Sequence, residues 1–455
     1  IVNNIAIGNS AMNGSGSSTS SIYNNVSIGY QSMYAITTGS NNTIIGNRAG
    51  TTITQGYGNV ALGSDALYQV TTGNNNVSLG SYSLDALTTT SNMTAVGHSA
   101  GSAVNHNNAE GGTYIGYQAS KANTSGGHNT SVGYQALVAN TTGAYNTAIG
   151  SNALLALNGG TDNTAIGRRA LKDNIAGAYN IAIGNLAMKD YKGDDSNNGG
   201  TKNIAIGVSA MEAFQGGTGD VHANTRFDRN IALGYNSFRG ADFNNAEKVV
   251  TDNIAIGDEA LNSTGANGQV GTIAIGSNAL TSLTSGARNT AIGYQSATVN
   301  ATGLDGTFLG YQSGLNVLLN HNTAIGSKTL QKLGTTGGGG AGENNTAIGT
   351  FAMSGGDDTV TNNTAKDCVA VGYASLGGAT KGSDGAAFTT HSSTAVGYEA
   401  LTNLAGGNAN LAIGYQSSKA LTGGAANITI GHQAMLNATS ISSAIFIGAN
   451  AGDAI

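Results

Sequence analysis

The 455-residue sequence predicts an all-β fold, a parallel β-roll or β-solenoid of about 24 coils with a 17-residue basic repeat and β-hairpins inserted at its sides. Three observations carry this. A short phrase, most often Asn-Thr-Ala-Ile-Gly, recurs 24 times along the chain. Thirteen of the 23 intervals between its glycines are 17 residues. The composition is that of short strands and tight turns: 71 Gly, no Pro, no Trp and 9% charged residues. Ordinary domains carry about 7% Gly and about 25% charged residues.

The strand comes first in each copy. The residue before the anchor Gly is Ile, Leu or Val in all 24 copies, as at Ile149, Ile166, Ile183, Ile292, Ile325 and Ile413. Two residues earlier stands Ile, Val or Thr, with Leu411 the exception. Strand side chains alternate, so these two share a face. The residue between them is usually Ala or Ser and faces the other way. The large pair is expected to form the inner core, and the small residue an outer, close-packed face.

The turn follows. Anchor glycines such as Gly133, Gly150, Gly167 and Gly293 suit a positive φ, or a backbone approach too close for a Cβ. Three residues on comes Ala, Ser or, once, Thr329, then often Leu or Met, which can close the core from the opposite wall. Asn opens the phrase in 17 of 24 copies. It tolerates left-handed turns, and stacked Asn amides can bond to one another as a ladder. One such coil cannot bury its apolar face, whereas coils stacked at about 4.8 Å can. Amphipathic helices fail, because no 3.6-residue stripe survives the glycines.

Among the other ten intervals one is 16, and nine exceed 17 by an even number. A hairpin grows by one residue in each arm, hence by two, so these insertions are expected to be lateral β-hairpins. The chain reads as one continuous repeat domain. Residues 1–184, 258–326 and 398–455 are regular, and 185–257 and 327–397 are rich in insertions. It starts at Ile1 without Met and is expected to be a fragment of a longer chain.

The phrase Asn-Thr-Ala-Ile-Gly-x-x-Ala, as in 146–153 and 289–296, resembles the head repeat of YadA-like trimeric autotransporter adhesins and the related repeats of phage tail fibres. The resemblance runs through all 24 copies. It implies a left-handed parallel β-roll, three chains side by side in a homotrimer, and attachment to a surface. The small strand residues Ala148, Ala165, Ala291 and Ala412 are where such a trimer would pack closely. Two features depart from the family: the 17-residue interval is longer, and Tyr114, Phe308 and Phe446 replace the small residue. These rings are expected to fill gaps at a trimer axis or to oppose close packing there.

Several motifs lose to plainer explanations. Gly97-His98-Ser99-Ala100-Gly101 matches a nucleophile elbow but lacks the strand-to-helix context, since Gly97 is a repeat anchor. Residues 337–342 contain G-x-G-x-x-G with no helix after them. Asp194 to Gly199 resembles the start of a calcium loop, but its twelfth position is Ala205 rather than Glu. The seven His lack ligand spacing, and Cys368 stands alone in an Asn slot. No catalytic residue, metal or cofactor is assigned, and the chain is not expected to be an enzyme.

Tyr follows the anchor Gly in nine copies. It is expected to form a stacking ladder, with a carbohydrate-facing stripe as its functional alternative. The least repeat-like stretch, 212–248, supplies the candidate binding residues Phe214, Arg226, Phe227, Arg229, Phe238, Arg239 and Phe243, since Arg and aromatics are enriched in hot spots. Nucleic acid is not an expected partner, with 18 Lys plus Arg against 24 acids. Nor is membrane insertion, as no apolar run reaches about 18 residues.

The leading expectation is an extracellular attachment fibre or adhesin on a cell or virion surface, binding a host glycan or protein receptor. A structural spacer or filament subunit, such as a fibre shaft, is the alternative. An ice-binding solenoid stands third, set back because the recurring Thr130, Thr147 and Thr164 share the expected inward face with Ile.

Overall fold

The protein is described by a computed structural model covering residues 3–14, 22–190, 200–212, 226–240, 249–263, 268–317, 320–331, 342–355, 364–377 and 389–454. It forms two compact units, Ile1–Asn230 with Asn244–Glu247, and Ile231–Phe243 with Lys248–Ile455. The first holds twelve repeat strands, from Ile5–Ile7 to Ile204–Ile206, and the second holds twelve, from Ile231–Leu233 to Ile445–Ile447. Each repeat strand is three residues long and ends at an anchor Gly. Neighbours stack parallel and in register: Thr147 pairs with Thr164, Ala148 with Ala165 and Ile149 with Ile166. In the second unit Ile273, Ala274 and Ile275 pair with Thr290, Ala291 and Ile292. The expected parallel solenoid of stacked coils is present in both units.

The backbone explains the residue types. Gly150 has φ 133°, and a Cβ there would lie 2.5 Å from the Gly167 carbonyl oxygen, so Gly is needed on two counts. Gly133, Gly167 and Gly293 repeat that conformation. The second and fourth residues after the anchor are left-handed, as at Asn152 (φ 58°) and Leu154 (φ 49°). So is the residue before the opening Asn, as at Tyr145 (φ 58°). Bonds between coils hold these conformations: the Asn152 N–H donates back to the Tyr134 carbonyl at 2.9 Å, and the Leu154 N–H donates forward to Ala170 at 3.0 Å.

The core corrects the expected facing of the strand. Ala148, Ala165, Ala291 and Ala412 are fully buried inside the coil. Ile149, Ile166, Ile292, Ile325 and Ile413 point outward and are 36–38% exposed, and Ile183 is half-buried. The coil is too narrow for a large residue on the strand, because Ala153, Leu154 and Leu157 fill it from the opposite wall. The Ala row is therefore not an intermolecular surface.

The rings at Tyr114 and Phe308 are also inside and fully buried, not at an outer axis. Glycines make room for them. A Cβ on Gly101 would come within 2.6 Å of the Tyr114 ring, and one on Gly314 would clash with Phe308. Gly112 and Gly306 stand where the opening Asn normally sits, each against the same ring. The Asn123 amide donates to the Tyr114 hydroxyl at 2.8 Å. Burial pushes that hydroxyl well above the ordinary tyrosine range. Phe446, partly buried, faces Gly452 in the same way.

The opening Asn forms a buried ladder. The Asn146 side-chain amide donates to Asn129 Oδ1 at 3.2 Å and to the Gly160 carbonyl at 2.9 Å. Asn146 Oδ1 accepts from the backbone N–H and the amide of Asn163 at 3.0 and 3.1 Å. Cys368 occupies this column, where its N–H donates to Asn345 Oδ1 at 3.1 Å.

Lateral hairpins do not appear among the described residues, where every strand pairing is parallel. The insertions add second strands that pair coil to coil, Val250–Thr251 with Gln269–Val270 and Thr364–Lys366 with Thr389–His391. Each joins its repeat strand through a left-handed corner residue, Asp252 or Asp367. The insertion tips lie outside the described residues.

Candidate interaction surface

Because the small residue points in, the residues one and three positions from it along the chain point out. The outward face of each coil therefore carries three side chains: those three and one residues before the anchor Gly, and the one after it. In the coil of Gly167 these are Thr164, Ile166 and Arg168, and in that of Gly293 they are Thr290, Ile292 and Tyr294. The result is a surface of in-register columns, because each strand residue lies beside its counterpart in the next coil.

The aliphatic column is open to solvent in both units. Ile115, Ile149, Ile166 and Ile206 are exposed in the first unit, and Ile292, Ile325, Ile348 and Ile413 in the second. Beside it runs a Thr-rich column: Thr94, Thr113, Thr130, Thr147 and Thr164 in five successive coils, and Thr290, Thr307, Thr323 and Thr346 in four. It lies on the outward face, contrary to expectation.

Aromatic rows border the aliphatic column. Tyr117 stacks on Tyr134 at 5.4 Å between ring centroids, and Tyr294 on Tyr311 at 5.9 Å. Tyr373, Tyr398, Tyr415 and His432 form a longer row at 5.2, 5.3 and 5.1 Å. The expected stacking ladder is thus present. Within a row the ring faces cover one another and leave edges and hydroxyls outermost, which gives little ring face to a sugar. Next to them Gln side chains bond in a second row, Gln135 to Gln118 at 2.9 Å and Gln433 to Gln416 at 2.9 Å. This row ends at Glu399, which accepts from Gln416 at 2.8 Å and Lys419 at 2.6 Å. The Lys419 hydrogen bond holds the Glu399 carboxyl below its ordinary range.

Five of the seven candidate binding residues of 212–248 fall within the described residues. Phe227 and Phe238 are buried. Phe238 takes the slot that Leu154 fills in the regular coil, four residues after its anchor Gly, and that spacing was the signal for a core role. Arg226 pairs with Asp228 at 3.2 Å, and Asp228 also accepts from the Thr201 N–H at 3.0 Å. Arg229 and Arg239 are exposed. Phe214 and Phe243 lie outside the described residues, as do the candidate calcium segment 194–199 and most of the glycine run 337–342. Among the described residues no group of three His, Cys, Asp or Glu is placed to hold a metal ion. No described helix is long and apolar enough to cross a membrane.

Comparison of the chain with protein-family models, with curated proteins and with solved structures gave no match.

Proposed function

We propose that the chain is the head or shaft of an extracellular attachment fibre, assembled as a homotrimer through its outward aliphatic face. The observation that carries this is the outward row of Ile, Leu or Val side chains, one per coil, exposed in about half of the coils and half-buried in the rest. At about 4.8 Å per coil, twelve coils give a strip roughly 53 Å long in each unit. With a width of about 10 Å that is on the order of 500 Å², at the upper end of what a monomer leaves open. Three copies turned toward a common axis would cover it, and the resemblance of the repeat to trimeric adhesin heads supports the same arrangement. Many weak contacts on three chains would then add through avidity.

Retention of the purified protein on arrayed glycans and on intact cells tests the attachment role. Saturable retention, competed by the soluble form of the same glycan or surface protein, supports it. A protein of trimeric mass that is retained nowhere is a spacer or filament subunit instead.

A second reading has its own observation. The Thr column beside the Ile column points outward, in runs of five and four successive coils, so the objection that Thr shares a buried face with Ile no longer applies. Ice binding would use this face uncovered, as a monomer, and inhibition of ice recrystallisation by the chain would identify it. Ile181 and Ile204 interrupt the Thr column in the first unit, which keeps this reading second.

A further inference from the structure

The corner before the repeat strand sends a side chain outward five residues ahead of the anchor Gly, except where that residue is itself Gly, as at Gly58, Gly111 and Gly271. In five successive coils of the first unit this column reads His128, Tyr145, Asp162, Tyr179 and Lys202. All five are left-handed, with φ of 54°, 58°, 57°, 58° and 61°. Backbone bonds set their register: Tyr145 N–H to the Gly127 carbonyl at 3.1 Å, Asp162 to Ala144 at 3.1 Å, Tyr179 to Thr161 at 3.0 Å. One conformation repeated in register sends the side chains out side by side, and all five are exposed.

His128 stacks on one face of Tyr145, with centroids 5.2 Å apart and planes at 11°. The other face of Tyr145 is on the side of the Asp162 coil, and exposed Tyr179 stands one coil beyond. Two coil spacings of about 4.8 Å put the two rings roughly 10 Å apart. The short Asp162 side chain cannot fill that gap. Its carboxylate has no hydrogen-bond or ion-pair partner among the described residues. In the rows at Tyr294–Tyr311 and Tyr373–Tyr415, by contrast, the rings occupy successive coils and leave no gap.

We propose that Tyr145, Asp162 and Tyr179 form a binding slot for a quaternary ammonium group of the choline type. A cation midway between the rings lies about 5 Å from each, within the roughly 6 Å reach of a cation–π contact. A trimethylammonium head is wide enough to touch both rings, and the carboxylate at the base supplies the opposite charge. A bare alkali ion is too small to touch both rings and keeps its water. A neutral sugar could lie between the rings but would make no use of the charge. The slot belongs to one chain and one unit, so it does not depend on how the chain assembles.

The test is a titration of the full chain with choline chloride, followed by NMR of ring-labelled tyrosines, with potassium chloride as the ionic-strength control. Saturable shifts are expected in two tyrosine signals, which Tyr145→Ala and Tyr179→Ala each assign by removal. Asp162→Asn should weaken binding at least tenfold, and Tyr294→Ala should leave it unchanged. These side chains are exposed, so the variants keep the fold, which an unchanged far-UV circular dichroism spectrum verifies. Shifts that never saturate, that potassium reproduces, or that Asp162→Asn leaves intact overturn the proposal, as does tighter binding of glucose than of choline. Flotation with phosphatidylcholine vesicles separates the sources. Co-flotation that Asp162→Asn abolishes assigns a lipid headgroup, and choline binding without flotation assigns a soluble ammonium compound.

Discussion

Replacing Asn146 with Ala removes one rung of the buried amide ladder. Four hydrogen bonds go: two donated by the Asn146 amide, to Asn129 and Gly160, and two accepted by its oxygen from Asn163. The Asn129 oxygen keeps the Asn146 backbone N–H at 2.8 Å, and the Asn163 amide keeps Gly177 at 2.8 Å. Two buried groups are stranded, the Asn163 N–H and the Gly160 carbonyl. At about 1–3 kcal/mol for each stranded group, the local loss is about 4 kcal/mol. A stacked-coil array does not unfold as two states, so a single global midpoint is the wrong readout. Amide hydrogen exchange measures local opening directly. The Asn163 and Ile149 amides should exchange about 1,000-fold faster, at about 1.4 kcal/mol per tenfold. Asn158→Ala serves as the control, because that side chain is exposed and only accepts from Thr141. An increase below tenfold for Asn146→Ala, or one equal to the control, would refute the ladder as a source of stability.

Other outcomes follow from the same packing. Tyr114→Ala should cost about 4 kcal/mol locally through the cavity it opens, and adding Gly101→Leu should recover part of that in hydrogen exchange, because the two residues share one space. Cys368 is buried and desolvation raises its thiol pKa, so it should react with neutral maleimide only after denaturation, and prompt labelling of the native protein would contradict its place in the Asn column. Glu399 has a lowered folded pKa through Lys419. The stability from this contact is therefore present above the unfolded carboxyl value of about 4.3 and is lost as pH falls through the folded one. Glu399→Gln should open slightly more readily around Lys419 in hydrogen exchange at pH 7, by about 0.5 kcal/mol for a partly exposed pair, with the difference gone near pH 3.

The repeat, its strands and its turn glycines are legible in the residues because each has a local cause. A Gly with φ near 135° against a carbonyl tolerates no substitute, and a strand of three residues leaves a period-two pattern. Which face points inward is not legible from that pattern, since alternation is unchanged when the two faces are exchanged. Size alone assigns large residues to the core, whereas the narrow coil takes a small residue from the strand unless a glycine opposite makes room for a larger one, as Gly50 does for Ile44. The exceptions held the missing information. Tyr114 comes with Gly101 and Gly112, and Phe308 with Gly306 and Gly314, a compensation of volume that makes sense only if the middle residue is inside. Phe238 at the Leu154 slot is a similar sign that this ring belongs to the core. The even insertion lengths pointed to hairpins, but the described insertion strands pair from coil to coil, a long-range contact that interval length does not encode. The column from His128 to Lys202 becomes visible only once the coils are in register.

The central claim is that the outward Ile column is a face between chains, and solution mass tests it most directly. Light scattering on the purified 455-residue chain should give about 135 kDa, three times 45.1 kDa. The trio Ile149→Asp, Ile166→Asp and Ile292→Asp should lower it toward one chain while the folded signal persists. A wild-type mass of 45.1 kDa at every concentration would contradict the claim, leaving the Thr and Ile columns facing water.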